Sequence, residues 1–236
     1  MSDARKVAVI TGASRGIGEG LVRAYRALDY RVVATSRSIA GSNDPDIFAI
    51  PGDIGDPATG PRVIAAAVER FGRVDTLANN AGIFVAGRFT RTTAEQYAQV
   101  MATNIAGFFF TSQAAVVAME KGGGGHIVNI TTALVRNAQS QVPSILASLS
   151  KGGIDAATRS LAIEYAARGI RANAVAPGVI MTPMHPQESY GALAELHPMG
   201  RMGTIADVVD AVLYLESAGF VTGATLPVDG GQSAGH

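Results

Sequence analysis

The chain has 236 residues, enough for one sizeable α/β domain, and its 19 Lys and Arg balance 19 Asp and Glu. That balance leaves no net field to hold nucleic acid, a membrane surface or another polyanion. The lack of cysteine excludes disulfides, thiolate metal sites and a Cys nucleophile, and the four histidines (His126, His185, His197 and His236) contain no pair at helical metal-ligand spacing.

In chain order, "MSDARKVAVITG" passes from polar residues straight into a strand, so no signal peptide is expected. Short apolar, β-branched runs then alternate with longer Ala-rich segments of helical period. Strands are predicted near 7–11, 31–35, 47–50, 74–79, 126–131, 171–176 and 225–228, and helices near 16–28, 58–71, 93–119, 145–167 and 205–217. This alternation predicts an α/β fold, a doubly wound parallel sheet of about seven strands covered on both faces. The most apolar stretch, 105–119, is interrupted by Thr111, Ser112 and Gln113, which argues against a membrane span; the chain reads as soluble and cytoplasmic. "KGGGG" at 121–125 reads as a helix-to-strand turn. No repeat or linker divides 1–236, so a single domain is expected. Only 178–203, with several prolines and glycines, breaks the alternation, and an insertion of that length reads as a lid over a site.

The turn after the first strand, "VAVITGASRGIGEG", has the make-up of a phosphate cradle. Gly12, Gly16 and Gly18 let the backbone turn tightly, and the free N–H groups of the following helix favour a pyrophosphate. Its G-x-x-x-G-x-G spacing departs from the general dinucleotide fingerprint G-x-G-x-x-G. The end of the second strand, "VVATSRS", has no acid to hold a ribose 2′-hydroxyl. Arg37 there, Arg15 in the glycine loop, and the hydroxyls of Thr35 and Ser36 suit a 2′-phosphate, so NADP is favoured over NAD.

Several further motifs, in order along nearly the whole chain, resemble the short-chain dehydrogenase/reductase family. "TGASRGIG" at 11–18 is similar to that family's glycine motif, which puts Ser14 and Ile17 beside the cofactor with the glycines. "GDI" at 52–54 is similar to its adenine segment, with Asp53 and Ile54 at the ring. "NNAG" at 79–82 supplies Asn80, Ala81 and Gly82; Asn104 matches the family's helix asparagine; and "APGVIMTPM" at 176–184 matches the segment by the nicotinamide, with Pro177 and Gly178. "PVDGG" at 227–231 is similar to the family's last strand. The resemblance implies a seven-stranded Rossmann sheet, a nicotinamide cofactor, a small-molecule substrate, and a homotetramer or homodimer built on the long helices 93–119 and 145–167.

It also implies a catalytic group of Ser, Tyr, a Lys four residues after the Tyr, and the helix Asn. In "VPSILASLSKGGID" Lys151 matches the lysine, which in the family binds the ribose and lowers the tyrosine's pKa, but Ala147 stands where the tyrosine is expected. At the serine position "VNITTAL" offers Thr132, or alternatively Thr131, with a slightly longer run to Lys151 than usual. The expected catalytic residues are therefore Lys151, Thr132 and Asn104, with no metal. His185, His197 and Tyr190 in the lid are candidate substitute acids. Two functions stay open: an NADP-dependent oxidoreductase with an atypical site, and a cofactor-binding protein without turnover. A lyase or isomerase on the same scaffold would need an acid–base pair that the sequence does not offer.

Overall fold

The computed structural model describes residues 5–235; residues 1–4, on which the leader-free reading partly rests, and His236 lie outside the described residues. The strands are β1 (Val7–Thr11), β2 (Arg31–Ser36), β3 (Ile47–Pro51), β4 (Thr76–Asn79), β5 (Gly125–Ile130), β6 (Ile170–Pro177) and β7 (Thr225–Val228). They form a seven-stranded sheet in the order β3-β2-β1-β4-β5-β6-β7, parallel throughout. Parallel neighbours need crossovers; the segment 37–46 joins β2 to β3 without a helix, and the others run through α1 (Gly16–Ala27), α2 (Thr59–Phe71), α3 (Ala94–Val100), α4 (Gly107–Gly122), α5 (Ile145–Tyr165), the short α6 (Tyr190–Ala194) and α7 (Ile205–Ser217).

β1 shows why these strands read as continuous apolar runs. Its side chains alternate between two cores, one on each face of the sheet. Ala8 and Ile10 pack with Leu21 and Tyr25 of α1 and Val208, Val212 and Leu215 of α7. Val7 and Val9 pack with Val63, Ile64 and Ala67 of α2, Ala115 and Met119 of α4, and Ala162 of α5. At the start of the strands a buried carboxylate ties α7 to the sheet. Glu216 accepts hydrogen bonds from Tyr25 (3.1 Å), Tyr30 (3.1 Å) and Thr76 (3.0 Å), and pairs with His126 Nδ1 (2.9 Å).

The expected elements form, with three corrections. The helix expected over 93–119 is α3 and α4 joined by a π-helical turn, Met101–Ala106, which carries the buried Asn104. The strand expected from 74 starts at Thr76; just before it Asp75 still joins both neighbours through its backbone, its N–H donating to the Val7 carbonyl (2.9 Å) and its carbonyl accepting from the His126 N–H (2.8 Å). The lid, 178–203, is less open than a lid should be. Its ends are joined by a bridge between Ile180 and Gly203, and it folds through α6. The run Ala94–Gly122 is long and apolar enough to cross a membrane by length and composition alone, but here Thr111, Ala115, Val116 and Met119 of α4 are buried.

Candidate functional site

The strand order reverses between β1 and β4, and in an open parallel sheet that is where a crevice opens at the carboxyl ends of the strands. A cavity of about 860 Å³ lies there. It receives the ends of β1, β2, β4, β5 and β6, with the lid along one side.

The glycine loop forms one wall. Gly12 and Gly16 adopt φ of +65° and +60°, which side chains of L-residues rarely tolerate. A methyl at Gly12 would also come within 2.8 Å of the Ala81 Cα. The loop is braced from β4: Asn80 Nδ2 donates to the carbonyls of Thr11 (2.9 Å) and Gly12 (3.1 Å), while Thr11 Oγ1 accepts from the Asn80 and Ala81 N–H groups. Arg15 is the N-cap of α1 and caps nothing with its side chain, which leaves the helix's first N–H groups for an anion at the wall formed by Gly16 and Ile17. Gly18 is the one expected cofactor residue off the cavity wall. It packs behind the loop, where a methyl would strike the Gly12 carbonyl oxygen.

At the end of β2 the cavity is lined by Ser36 and Arg37, and by Ser14 and Arg15 of the glycine loop. Neither Arg15 nor Arg37 is paired with a carboxylate among the described residues, and the Ser36 hydroxyl is buried without a partner. An orphaned hydroxyl and two guanidinium groups unpaired with carboxylates, all on one cavity wall, fit a phosphate. Thr35 does not join them, contrary to expectation, because its buried hydroxyl donates to the Ile50 carbonyl (2.8 Å). Asp53 is exposed on the wall, with one carboxylate oxygen accepting from Gly55 N (2.9 Å), and Ile54 is buried beside it.

At the other end, Lys151 reaches from the second turn of α5 to donate to the Ile130 carbonyl at the end of β5 (2.7 Å). A methyl at Gly82 would lie 3.1 Å from Lys151 Nζ and 3.3 Å from Asn104 Oδ1, so the two residues flank Gly82. Burial withdraws the ammonium from water and lowers its pKa to about 8. Thr132 lines the cavity and accepts from Leu134 N (3.3 Å), which leaves its hydroxyl proton available. Thr131 also reaches the wall but is buried and donates to the Val175 carbonyl (3.1 Å), so it is the weaker choice.

Ala147 lies one turn before Lys151 at the wall, 3% exposed, in the company of Leu134 and Val142. No tyrosine lines the cavity among the described residues. Asn104 does not line it either: its amide accepts from Ile83 N (2.9 Å) and donates to Ile83 O and Ser150 Oγ (3.1 Å each). It therefore holds the segment after β4 to α5, as a positioning residue.

Of the substitute acids, His185 alone is at the cavity, and burial lowers its pKa. Tyr190 is off the wall. His197 is buried behind Gly178 with Nε2 accepting from the Val179 N–H (2.9 Å), so it serves as a brace. Pro177 and Gly178 line the cavity as expected. Gln232 was not foreseen. It is 2% exposed, lines the cavity near Gly178, and keeps Oε1 without a partner. Nothing in the spacing of "PVDGGQ" marks it, because only the fold brings the tail to this wall.

Fold and crevice together define a dinucleotide-binding protein of the Rossmann type. The profile of a family described as enoyl-(acyl carrier protein) reductase matches residues 12–233. The chain is 36% identical to 2-(R)-hydroxypropyl-CoM dehydrogenase of Xanthobacter autotrophicus, over 97% of this chain and 99% of that one. It is 33% identical to the 3-oxoacyl-[acyl-carrier-protein] reductase FabG of Vibrio cholerae, over 96% and 97%. Among solved structures, ElxO with NADP bound superposes with a TM-score of 0.92 at 32% identity, covering 98% of this chain and 100% of ElxO. A tyrosine-to-phenylalanine variant of ElxO with NADPH bound gives 0.91, at 32% identity and the same coverage. The chain belongs to the short-chain dehydrogenase/reductase family, whose members similar to it are NAD(P)-dependent oxidoreductases.

Proposed function

We propose that this protein is an NADP(H)-dependent oxidoreductase that moves hydride between the nicotinamide and a small carbonyl, quinone or imine-type substrate, from a site without the tyrosine acid. One observation carries the reading: Lys151 and Thr132 line the same cavity as the glycine loop and the two unpaired arginines. The choice of NADP rests on Arg15, Arg37 and the orphaned Ser36, and on the lack of a carboxylate at the end of β2.

When bound, the cofactor supplies the hydride. The chain's own residues do the rest. The N–H groups at the start of α1 and the loop Gly12–Gly16 would hold the pyrophosphate; Arg15, Arg37 and Ser36 would hold the 2′-phosphate; and the Asp53 oxygen not used by Gly55, with Ile54, would meet the adenine. Asn80, Ala81, Gly82, Pro177 and Gly178 line the cavity with Lys151 and Thr132; Pro177 and Gly178 would border the nicotinamide, Lys151 would hold the ribose, and Thr132 would donate to the substrate oxygen.

The tyrosine of the family falls, on the alignment of Lys151, at Ala147, which exchanges no proton. General acid catalysis contributes about 10²–10⁴-fold, so loss of the phenol alone weakens ketone reduction by roughly 3–5 kcal/mol. Acceptors that need no simultaneous proton avoid that loss: an iminium ion becomes a neutral amine, and a quinone leaves as a stabilised anion. A cofactor-binding role without turnover is the second reading, favoured by the lack of any tyrosine on the cavity wall among the described residues.

NADPH oxidation by the wild type and by Ala147→Tyr on ketones, quinones and cyclic imines separates the two. Turnover of any acceptor by the wild type supports the oxidoreductase. Silence of the wild type beside ketone reduction by the variant assigns the binding role. We further propose a cytoplasmic homotetramer or homodimer without nucleic-acid or membrane partners. The exposed Phe109 and Val117 of α4 and Leu149 and Ile163 of α5 support a helix-on-helix interface, and a monomer by sedimentation refutes it.

A further inference from the structure

Around Lys151 the fixed walls carry either apolar groups or polar groups already spent. Leu134, Val142, Ala147 and Ile83 are apolar. The Asn104 amide is committed to Ile83 and Ser150, and the Ser150 hydroxyl donates to Leu146 O (2.7 Å). Thr132 keeps a proton, but an alcohol is no acid near neutrality. Lys151 has three N–H groups, and only one is used, on Ile130 O.

The elements packed on Lys151 bring no second acid to it. The end of β5, the segment after β4 and the π-helical turn present no titratable side chain there. On α5 itself Asp155, one turn on, is bound to Arg159 (2.6 Å) and Thr225 (2.6 Å). Among the described residues, the other ionisable groups lining the cavity are Arg15, Arg37 and Asp53 at its cofactor end, and His185 on the lid.

We infer that Lys151 is itself the catalytic acid, its ammonium giving a proton to the substrate oxygen in place of the phenol that Ala147 lacks; the inference rests on the oxidoreductase reading above. In the balanced step the carbonyl carbon gains the hydride of the reduced nicotinamide as a new C–H bond. The π pair moves to oxygen, which takes the proton from Nζ. The carbonyl is reduced by two electrons, the nicotinamide is oxidised by two, and the neutral amine is reprotonated from water. Desolvation assists by bringing the ammonium's pKa down to about 8, closer to the working pH. Carbonyl reduction therefore falls as pH rises through that value, while reduction of a preformed iminium ion, which takes no proton, does not follow it.

The discriminating variant is Lys151→Arg, which keeps a cation and its donors but does not deprotonate. With ethyl acetoacetate as the ketone and an N-methyl-dihydroisoquinolinium ion as the iminium, the variant should lose ketone reduction at least roughly 100-fold. Because Lys151 also faces the ribose, both rates are taken at saturating NADPH, where the ketone rate should fall at least roughly tenfold further than the iminium rate; His185→Gln should keep both activities. The second readout needs no turnover. The chain has only three lysines, Lys6, Lys121 and Lys151, so the Cε carbon signal absent from the variant identifies Lys151 in an NMR titration. Its midpoint should match the break in the ketone pH profile. The inference is overturned if Lys151→Arg reduces the ketone at a near-normal rate, if His185→Gln is the variant that fails, if the two midpoints disagree, or if the wild type reduces the iminium but not the ketone. A wild type that binds NADPH and reduces neither acceptor overturns the oxidoreductase reading itself.

Discussion

Replacing Arg37 by Asp tests how the far end of the cavity reads the cofactor. Arg37 stands exposed just past β2 and lines the cavity with Arg15 and with Ser36, whose hydroxyl has no partner. A hydrogen bond to a charged group is worth about 1.5–3 kcal/mol, and exposure puts Arg37 at the lower end, so losing the guanidinium costs NADPH roughly 1.5 kcal/mol. The new carboxylate then opposes a phosphate carrying about −1.5 to −2 charges. At about 4 Å in water each unit pair contributes about 1 kcal/mol, which adds roughly 1.5–2 kcal/mol. The total, about 3–3.5 kcal/mol, weakens NADPH binding by roughly 200-fold. NADH has no 2′-phosphate, and Asp accepts a hydrogen bond from its 2′-hydroxyl, so its affinity holds or improves. Titration of cofactor fluorescence at low and high salt gives both constants, and salt should erode only the wild type's preference for NADPH. A variant that keeps NADPH within about threefold of wild type, or a wild type that binds NADH equally well, refutes the assignment of this end to a 2′-phosphate.

Gly18→Ala drives a methyl into the Gly12 carbonyl oxygen and the Asn80 amide, so it should abolish NADPH binding and cost about 1–3 kcal/mol of stability by calorimetry. Gly41→Ala, with open space around it, should change neither. Glu216→Gln leaves donors from Tyr25 and His126 facing an amide, and should cost about 2–4 kcal/mol in urea unfolding while leaving NADPH affinity unchanged, since Glu216 lies at the opposite end of the sheet. Asp207, the third helical residue of α7, which completes a capping box with the N-cap Thr204, is held at about pKa 2 by the Arg201 guanidinium and the Thr204 N–H. Because its folded pKa lies below the unfolded value of about 3.9, its stabilisation is present above that value and is lost as pH falls toward 2. Asp207→Asn should therefore unfold at lower urea than wild type at neutral pH, with the difference closing in acid.

The sheet was legible because most strands, β1 and β2 above all, carry apolar residues on both faces, and the glycine loop because Gly12 and Gly16 need positive φ angles that glycine adopts readily. What stayed hidden depends on where a side chain spends its hydrogen bonds. Thr35 and Ser36 are adjacent hydroxyls in "VVATSRS", yet strand alternation sends one to the Ile50 carbonyl and leaves the other unpartnered at the wall. His185 and His197 read alike in the lid, yet the fold sets one at the cavity and the other against the Val179 N–H. The π-helical turn leaves no mark in the apolar pattern of 93–119, and it sets Asn104 against Ile83 rather than against the cavity.

The presence of Lys151 does not by itself argue for catalysis. Its Nζ satisfies the Ile130 carbonyl where β5 ends, and a buried carbonyl left without a donor costs about 1–3 kcal/mol, so the fold has its own use for the lysine. A change that removes the donor mixes that structural loss with any chemical one. Arginine can keep the donor while abolishing titration, which is why the informative comparison is between an acceptor that needs a proton and one that does not, within one variant. If Lys151 only holds the end of β5 and the ribose, both acceptors weaken together. Separation of the two requires that the ammonium's proton reach the substrate.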